Sequence, residues 1–206
     1  EALVNGISVK NRLNLSTDLL QGVSNVTNVY SEIVRNKPYS FENLEKLDNV
    51  YLQAIALEKI NAEKDIVKLK ELVVKASKFY GLTYEDANTK YLYDNVIPED
   101  KSLVYQKLTA LDIVHINKLA DYFGEAVVLA AVQNPKNGRL DIGDIILKGS
   151  KSVGVSDSLL LQYKNLNSKR KLTVDEYMLN KNFKNGIEFI EALKTAIALS
   201  ESAGGG

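Results

Sequence analysis

From Ser40 to Tyr80 the chain carries no glycine and no proline, and its apolar side chains recur every three or four positions. Leu44, Leu47, Tyr51, Ile55, Ala62, Ile66, Leu69, Val73, Ala76 and Tyr80 share one helical stripe. A strand cannot use that period, because its side chains alternate between two faces. The simplest reading is a single helix of about 60 Å at 1.5 Å per residue; a break near Asn61 is the alternative. Such a stripe calls for a partner surface, since a helix in water gains most of its stability by burying its apolar face.

The same spacing recurs elsewhere. Leu15, Leu19, Val23, Val26, Tyr30 and Ile33 place a helix within residues 8–35, and Asn36-Lys37-Pro38 is expected to stop it. Ser40 offers an N-cap oxygen to the long run, and Gly81 is placed to end it. Thr83-Tyr84-Glu85-Asp86 has the spacing of a capping box. Pro98 with Glu99 and Asp100 predicts a helix start, continued through Leu103, Tyr105, Leu108, Leu111 and Val114. The pattern resumes at Leu119, Tyr122, Phe123, Val127 and Leu129, and Ile187, Phe189, Ile190, Leu193, Ile197 and Leu199 give a last amphipathic helix. Sustained alternation is nearly absent. The expected fold is all-α, with long amphipathic helices packed as a bundle. Residues 1–81 are read as a long-helix hairpin or bundle, 82–200 as a helical module and 201–206 as a flexible tail.

Composition narrows the function. Twenty-six basic residues balance 26 acidic ones, so no global field draws in nucleic acid or anionic lipid, and nucleic acid is not expected as a specific ligand. Lys169-Arg170-Lys171 is the one dense basic spot, too small for a phosphate track. The absence of cysteine excludes disulfides, thiolate zinc sites and cysteine nucleophiles, and the single His115 excludes a two-histidine metal site. No run approaches the roughly 18 apolar residues of a membrane helix. The glycine-rich phosphate loops, HExxH and GxSxG are missing, and nothing in the sequence supplies His115 with an aligned partner. No enzyme and no catalytic residue are expected. Lys64, Lys68, Lys70, Lys75 and Lys78 alternate with Glu58, Glu63, Asp65 and Glu71, as on a solvated helix face. Tyr80, Tyr84, Tyr91 and Tyr93 are expected to pack at element edges with wet hydroxyls. Asn14-Leu15-Ser16 and Asn25-Val26-Thr27 match the glycosylation pattern, both on expected helix faces. The start at Glu1 shows no signal-peptide pattern.

Two stretches carry chemistry. Residues 133–144 read Gln-Asn-Pro-Lys-Asn-Gly-Arg-Leu-Asp-Ile-Gly-Asp, and residues 165–176 read Asn-Leu-Asn-Ser-Lys-Arg-Lys-Leu-Thr-Val-Asp-Glu. Both resemble the 12-residue EF-hand calcium loop, and the first is similar to a dockerin repeat. In that alignment Gly138 takes the sharp-turn position, Leu140 and Leu172 the pairing position, and Asn137, Asp141 and Asp144 supply ligand oxygens. Asn165, Asn167 and Glu176 fill ligand positions in the second stretch, and Ser156 is placed to cap the helix leading into it. Gln133 and Pro135 depart from the usual ligands of the first loop. Lys169 and Arg170 put cations where the second needs an oxygen and a glycine. The resemblance implies a C-terminal helix–loop–helix pair kept for packing, with calcium at Asn137, Asp141 and Asp144 the one cofactor it allows.

The combined reading is a non-enzymatic structural or assembly protein, self-associating or binding a protein partner through amphipathic helices, such as a virion, filament or surface assembly subunit. A virion or extracellular setting is expected ahead of a cytoplasmic one. The alternative is a calcium-dependent binding module of EF-hand or dockerin type.

Overall fold

The computed structural model describes residues 17–35, 44–80, 86–113 and 115–202. The chain is all-α: its described residues form helices and short turns, with no strand among them. The helices are α1 (Val26–Arg35), α2 (Leu44–Ala62), α3 (Ile66–Tyr80), α4 (Ala87–Tyr91), α5 (Ser102–Ala110), α6 (Leu119–Gln133), α7 (Ile142–Gly149), α8 (Asp157–Asn165), α9 (Ser168–Met178) and α10 (Gly186–Ser202). The signals expected at Asn14, Pro38, Ser40, Gly81, Thr83 and Gly204–Gly206 lie outside the described residues. Two compact units divide the chain: Glu1–Leu82 with Asp112–Leu119, and Thr83–Leu111 with Ala120–Gly206.

In the first unit α2 is central. Helices α1 and α3 and a 3-10 turn at Ile116–Lys118 all pack against it. Its buried residues Tyr51, Ala54, Leu57, Glu58 and Ile60 therefore spread around the helix instead of forming one stripe. Val29 and Ile33 of α1 meet Tyr51, Ala54 and Ile55 of α2 to make the core.

Two expected helices are broken by local hydrogen bonding. Among the described residues the run to Arg35 has a 3-10 turn at Thr17–Leu20, reverses at Gly22 with φ +77°, and restarts at Asn25. The Asn25 Oδ1 accepts from the Thr27 and Asn28 amides at 3.0 and 3.4 Å, a side-chain cap that draws the backbone out of helix before α1. Over its described residues, 44–80, the long run is likewise two helices, the alternative reading of a break near Asn61, parted at Glu63-Lys64-Asp65. Glu63 Oε1 accepts from the amides of Lys64 and Asp65, and Asp65 Oδ1 accepts from Lys68 N at 3.0 Å, capping α3. Acidic side chains thus end one helix and begin the next where neither glycine nor proline is present.

The second unit wraps α6, whose Phe123 and whole run from Ala126 to Val132 are buried. Asp86 caps α4, its Oδ1 accepting from Asn88 N and Thr89 N at 2.9 and 3.0 Å. Helix α5 starts at Ser102 and not at Pro98, because Asp100 Oδ1 accepts from Ser102 N at 2.9 Å and sets the first turn there. Ser156 caps α8, as its position predicts, accepting from Leu159 N at 3.3 Å. Helix α9 packs on α10 and α7. Lys107 is buried, with Nζ donating to Asn182 Oδ1 at 2.6 Å and to the Phe183 carbonyl at 2.9 Å. Burial pulls its pKa down, and the Glu188 carboxylate works against that. Helix α10 buries Phe189, Leu193, Ala196 and Ile197 and runs to Ser202, so Glu201 and Ser202 are helical and not part of the tail expected from 201.

Candidate functional site

The first loop lies between α6 and α7, with a 3-10 turn at Gly138–Asp141. Gly138 has φ +60°, the left-handed backbone that glycine adopts without a Cβ penalty. The structure brings Asn137 and Asp141 together: Asn137 donates from its backbone N to Asp141 Oδ2 at 2.7 Å and from Nδ2 to Oδ1 at 3.1 Å. Asp144 turns elsewhere, accepting from the Tyr91 hydroxyl at 2.8 Å. That bond and the Asp144 charge hold the Tyr91 phenol above its ordinary pKa. The Lys148 ammonium sits 4.5 Å from the centre of the Tyr91 ring. At the loop's first position, Gln133 Oε1 is buried without a hydrogen-bond partner. Among the described residues no group of three or more His, Asp or Glu is placed to hold a metal ion.

The second stretch is not a loop. Residues 165–176 comprise the last residue of α8, a turn at Leu166-Asn167 and most of α9. Asn167 caps α9 by accepting from Arg170 N at 2.9 Å. With Arg170 in place of a turn glycine, nothing stops the helix from running on through Glu176. Asn165 and Asn167 therefore serve helix ends, and Glu176 pairs with Arg139 of the first loop at 3.2 Å. The two pairing positions do not form a strand bridge: Leu140 is 80% exposed, and Leu172 lies on a helix. Between α8 and α9 the buried Tyr163 donates its hydroxyl to Asp175 Oδ1 at 2.9 Å.

Sequence reasoning missed a polar cleft of about 220 Å³ in the first unit, lined in part by Asn28, Ser31, Glu32, Arg35, Glu58 and Asn61. Glu32 and Glu58 are 5% and 7% exposed. Glu32 accepts from Arg35 Nη1 at 2.9 Å, and its other oxygen lies 3.1 Å from His115 Nδ1. Glu58 accepts from Asn28 Nδ2 at 2.9 Å, which removes it from the solvated face expected for it. Asn61 donates to the Ile113 carbonyl at 2.8 Å. The available signal was register. Glu32 stands with Val29 and Ile33, and Glu58 with Tyr51 and Ile55, at the spacing of core positions. The arrangement fastens Ile113 to α2 and His115 to α1, and Glu32 and Glu58 each accept a hydrogen bond within it.

A second cavity in this unit, about 360 Å³ and largely apolar, is lined by α2, α3 and Leu19 of the Thr17–Leu20 turn. No protein-family model, no curated protein and no solved structure matches the chain. Among the described residues no helix is long and apolar enough to cross a membrane.

Proposed function

We propose that the protein is a non-enzymatic structural subunit that associates through its amphipathic helices with copies of itself or with a protein partner, as a virion, filament or surface assembly subunit does. The observation that carries this reading is the double-faced character of α3. One face buries Leu69, Val73 and Ala76, while Val67 and Val74, one heptad apart on the opposite face, are 68% and 44% exposed. Two β-branched side chains in helical register facing water are anchors that a second helix, from another copy or a partner, could cover. Static light scattering across a dilution series tests the reading. A mass above that of the monomer that falls on dilution supports it, and a monomer at every concentration contradicts self-association.

A calcium-dependent binding module is the second reading, favoured by the left-handed Gly138 at the sharp-turn position and the orphaned Gln133 oxygen at the loop's start. It requires Asp144 to leave Tyr91 and join Asn137 and Asp141. Calorimetric titration with calcium tests it: a heat that Asp141→Ala abolishes supports the module, and a flat titration contradicts it.

A further inference from the structure

We infer that the polar cleft of the first unit binds an alkylammonium group, the charged end of a small primary amine or of a lysine side chain. This site does not depend on the assembly reading above. The cleft, about 220 Å³, is lined by α1, α2 and the Asp112-Ile113 segment. Glu58 of α2 lines it and is nevertheless only 7% exposed. Its Oε2 accepts from Asn28 Nδ2 at 2.9 Å, and among the described residues that neutral amide is its one partner. Oε1 accepts no hydrogen bond, and no lysine, arginine or histidine pairs with the carboxylate. Nor is Oε1 sealed in the interior, so the cleft is its opening. Glu32, on the opposite wall, shows the contrast: it has both Arg35 and His115 as partners. Burying a carboxylate costs free energy until a counter-charge and donors to both oxygens offset its lost hydration. At Glu58 the counter-charge and one donor are missing, and a ligand that enters the cleft can supply both.

The other lining groups select the ligand. Asn28 turns its Nδ2 onto Glu58, and Asn61 turns its Nδ2 onto the Ile113 carbonyl at 2.8 Å. Each amide is thereby left with Oδ1 as a free acceptor. Asp112 is exposed and adds a second carboxylate with no hydrogen bond or ion pair of its own. Among the described lining residues the cation is Arg35, which donates to Glu32. What remains is a set of acceptors with excess negative charge. A primary ammonium brings three donors and no acceptor, which is the complement of that set. A metal ion is matched less well, since among the described residues no three His, Asp or Glu side chains are placed to hold one. Ala54, Leu57 and Ile113 give the cleft an apolar wall, against which the methylenes behind an ammonium lie.

The test is an NMR titration of the whole isotope-labelled chain with n-butylammonium chloride at constant ionic strength. Sodium chloride and tetramethylammonium chloride are the controls, the second carrying the charge without an N–H. Saturable shifts of the Asn28 and Asn61 side-chain amides are expected with n-butylammonium and with neither control. Glu58→Gln keeps an acceptor for Asn28 and removes the charge, and is expected to weaken binding at least about tenfold. Asp112→Asn, at an exposed position, is expected to weaken it severalfold and gives a second readout if Glu58→Gln disturbs packing. A peptide bearing one lysine, titrated in parallel, separates the two sources. Tighter binding of the peptide than of n-butylammonium assigns the site to a partner's lysine, and the reverse order assigns it to a free amine. Shifts that never saturate, equal shifts with either control, or an affinity that ignores Glu58→Gln or Asp112→Asn would each overturn the inference.

Discussion

His115 Nδ1 lies 3.1 Å from Oε1 of Glu32, a contact that spans 83 positions of sequence and ties the segment around residue 115 to α1. Glu32 is nearly fully buried and also takes Arg35, while His115 and Arg35 keep part of their side chains in water. Losing the acid should therefore cost more than losing either partner. Glu32→Ala is expected to destabilise the protein by about 1–3 kcal/mol, and Arg35→Ala by under about 1 kcal/mol. A double-mutant cycle between Glu32→Ala and His115→Ala, read by urea denaturation, should show a coupling above about 0.5 kcal/mol. Additive effects would mean that the contact does not fasten the segment.

Gly149 of α7 lies against Val128 of α6. A Cβ at that position would lie 2.6 Å from Val128 Cγ2, on a residue that is itself buried. Gly149→Ala is expected to cost about 1–3 kcal/mol by overpacking. Adding Val128→Ala should recover part of that loss, so the double variant is more stable than the sum of the singles. At Gly186 the clash would be with the Val153 carbonyl, 2.5 Å from the added carbon. No side-chain trimming relieves that contact, and Gly186→Ala should stay destabilised with Val153→Ala present.

Two aspartates titrate in opposite directions. Burial raises the Asp175 pKa above its ordinary 3.8, with the Tyr163 hydroxyl and the Arg139 and Lys171 charges pulling the other way. Its native state holds the proton more tightly than the unfolded chain, so its contribution is greatest below 3.8 and declines as pH rises through the raised value. For Asp86 burial also pushes up, but hydrogen bonds from Thr89 and Asn88 outweigh it and leave the pKa lowered. Its contribution is present above 3.8 and is lost as pH falls through the lowered value. Denaturation from about pH 2 to pH 7 should show Asp175→Asn gaining stability at neutral pH, and Asp86→Asn losing the acid-side decline. The reverse pattern would contradict both assignments.

Tyr163 is expected to matter through its hydroxyl. Tyr163→Phe keeps the ring but leaves Asp175 without the donor at 2.9 Å, at an expected cost of about 1–3 kcal/mol. Tyr163→Phe combined with Asp175→Asn should lose less than Tyr163→Phe alone, because no buried charge is then stranded. Thermal unfolding of the three variants measures this.

Helical class was legible because Leu69, Val73, Ala76, Phe189, Leu193 and Ile197 keep their period and are buried. Helix ends were less legible. The breaks at Asn25 and Glu63-Lys64-Asp65 depend on side-chain oxygens turning onto nearby amides, which residue type permits without requiring. Exposure of Ile187 and Leu199 could not be read from spacing, since an apolar residue in register still faces water when no neighbour covers it. The His115 partnership was hidden for another reason: Glu32 meets it only through tertiary packing. In the calcium-like region Gly138 marks a real turn between helices, whereas residues 168–176 form helix where oxygen-bearing residues were read as a loop.

Sedimentation velocity of the parent protein and of Val67→Ser with Val74→Ser, across a hundredfold-order dilution series, tests the assembly claim most directly. The account predicts a faster species that dissociates on dilution in the parent, and a monomer with unchanged helix content in the variant. A parent that sediments as a monomer throughout, or a variant that associates as strongly as the parent, would contradict it.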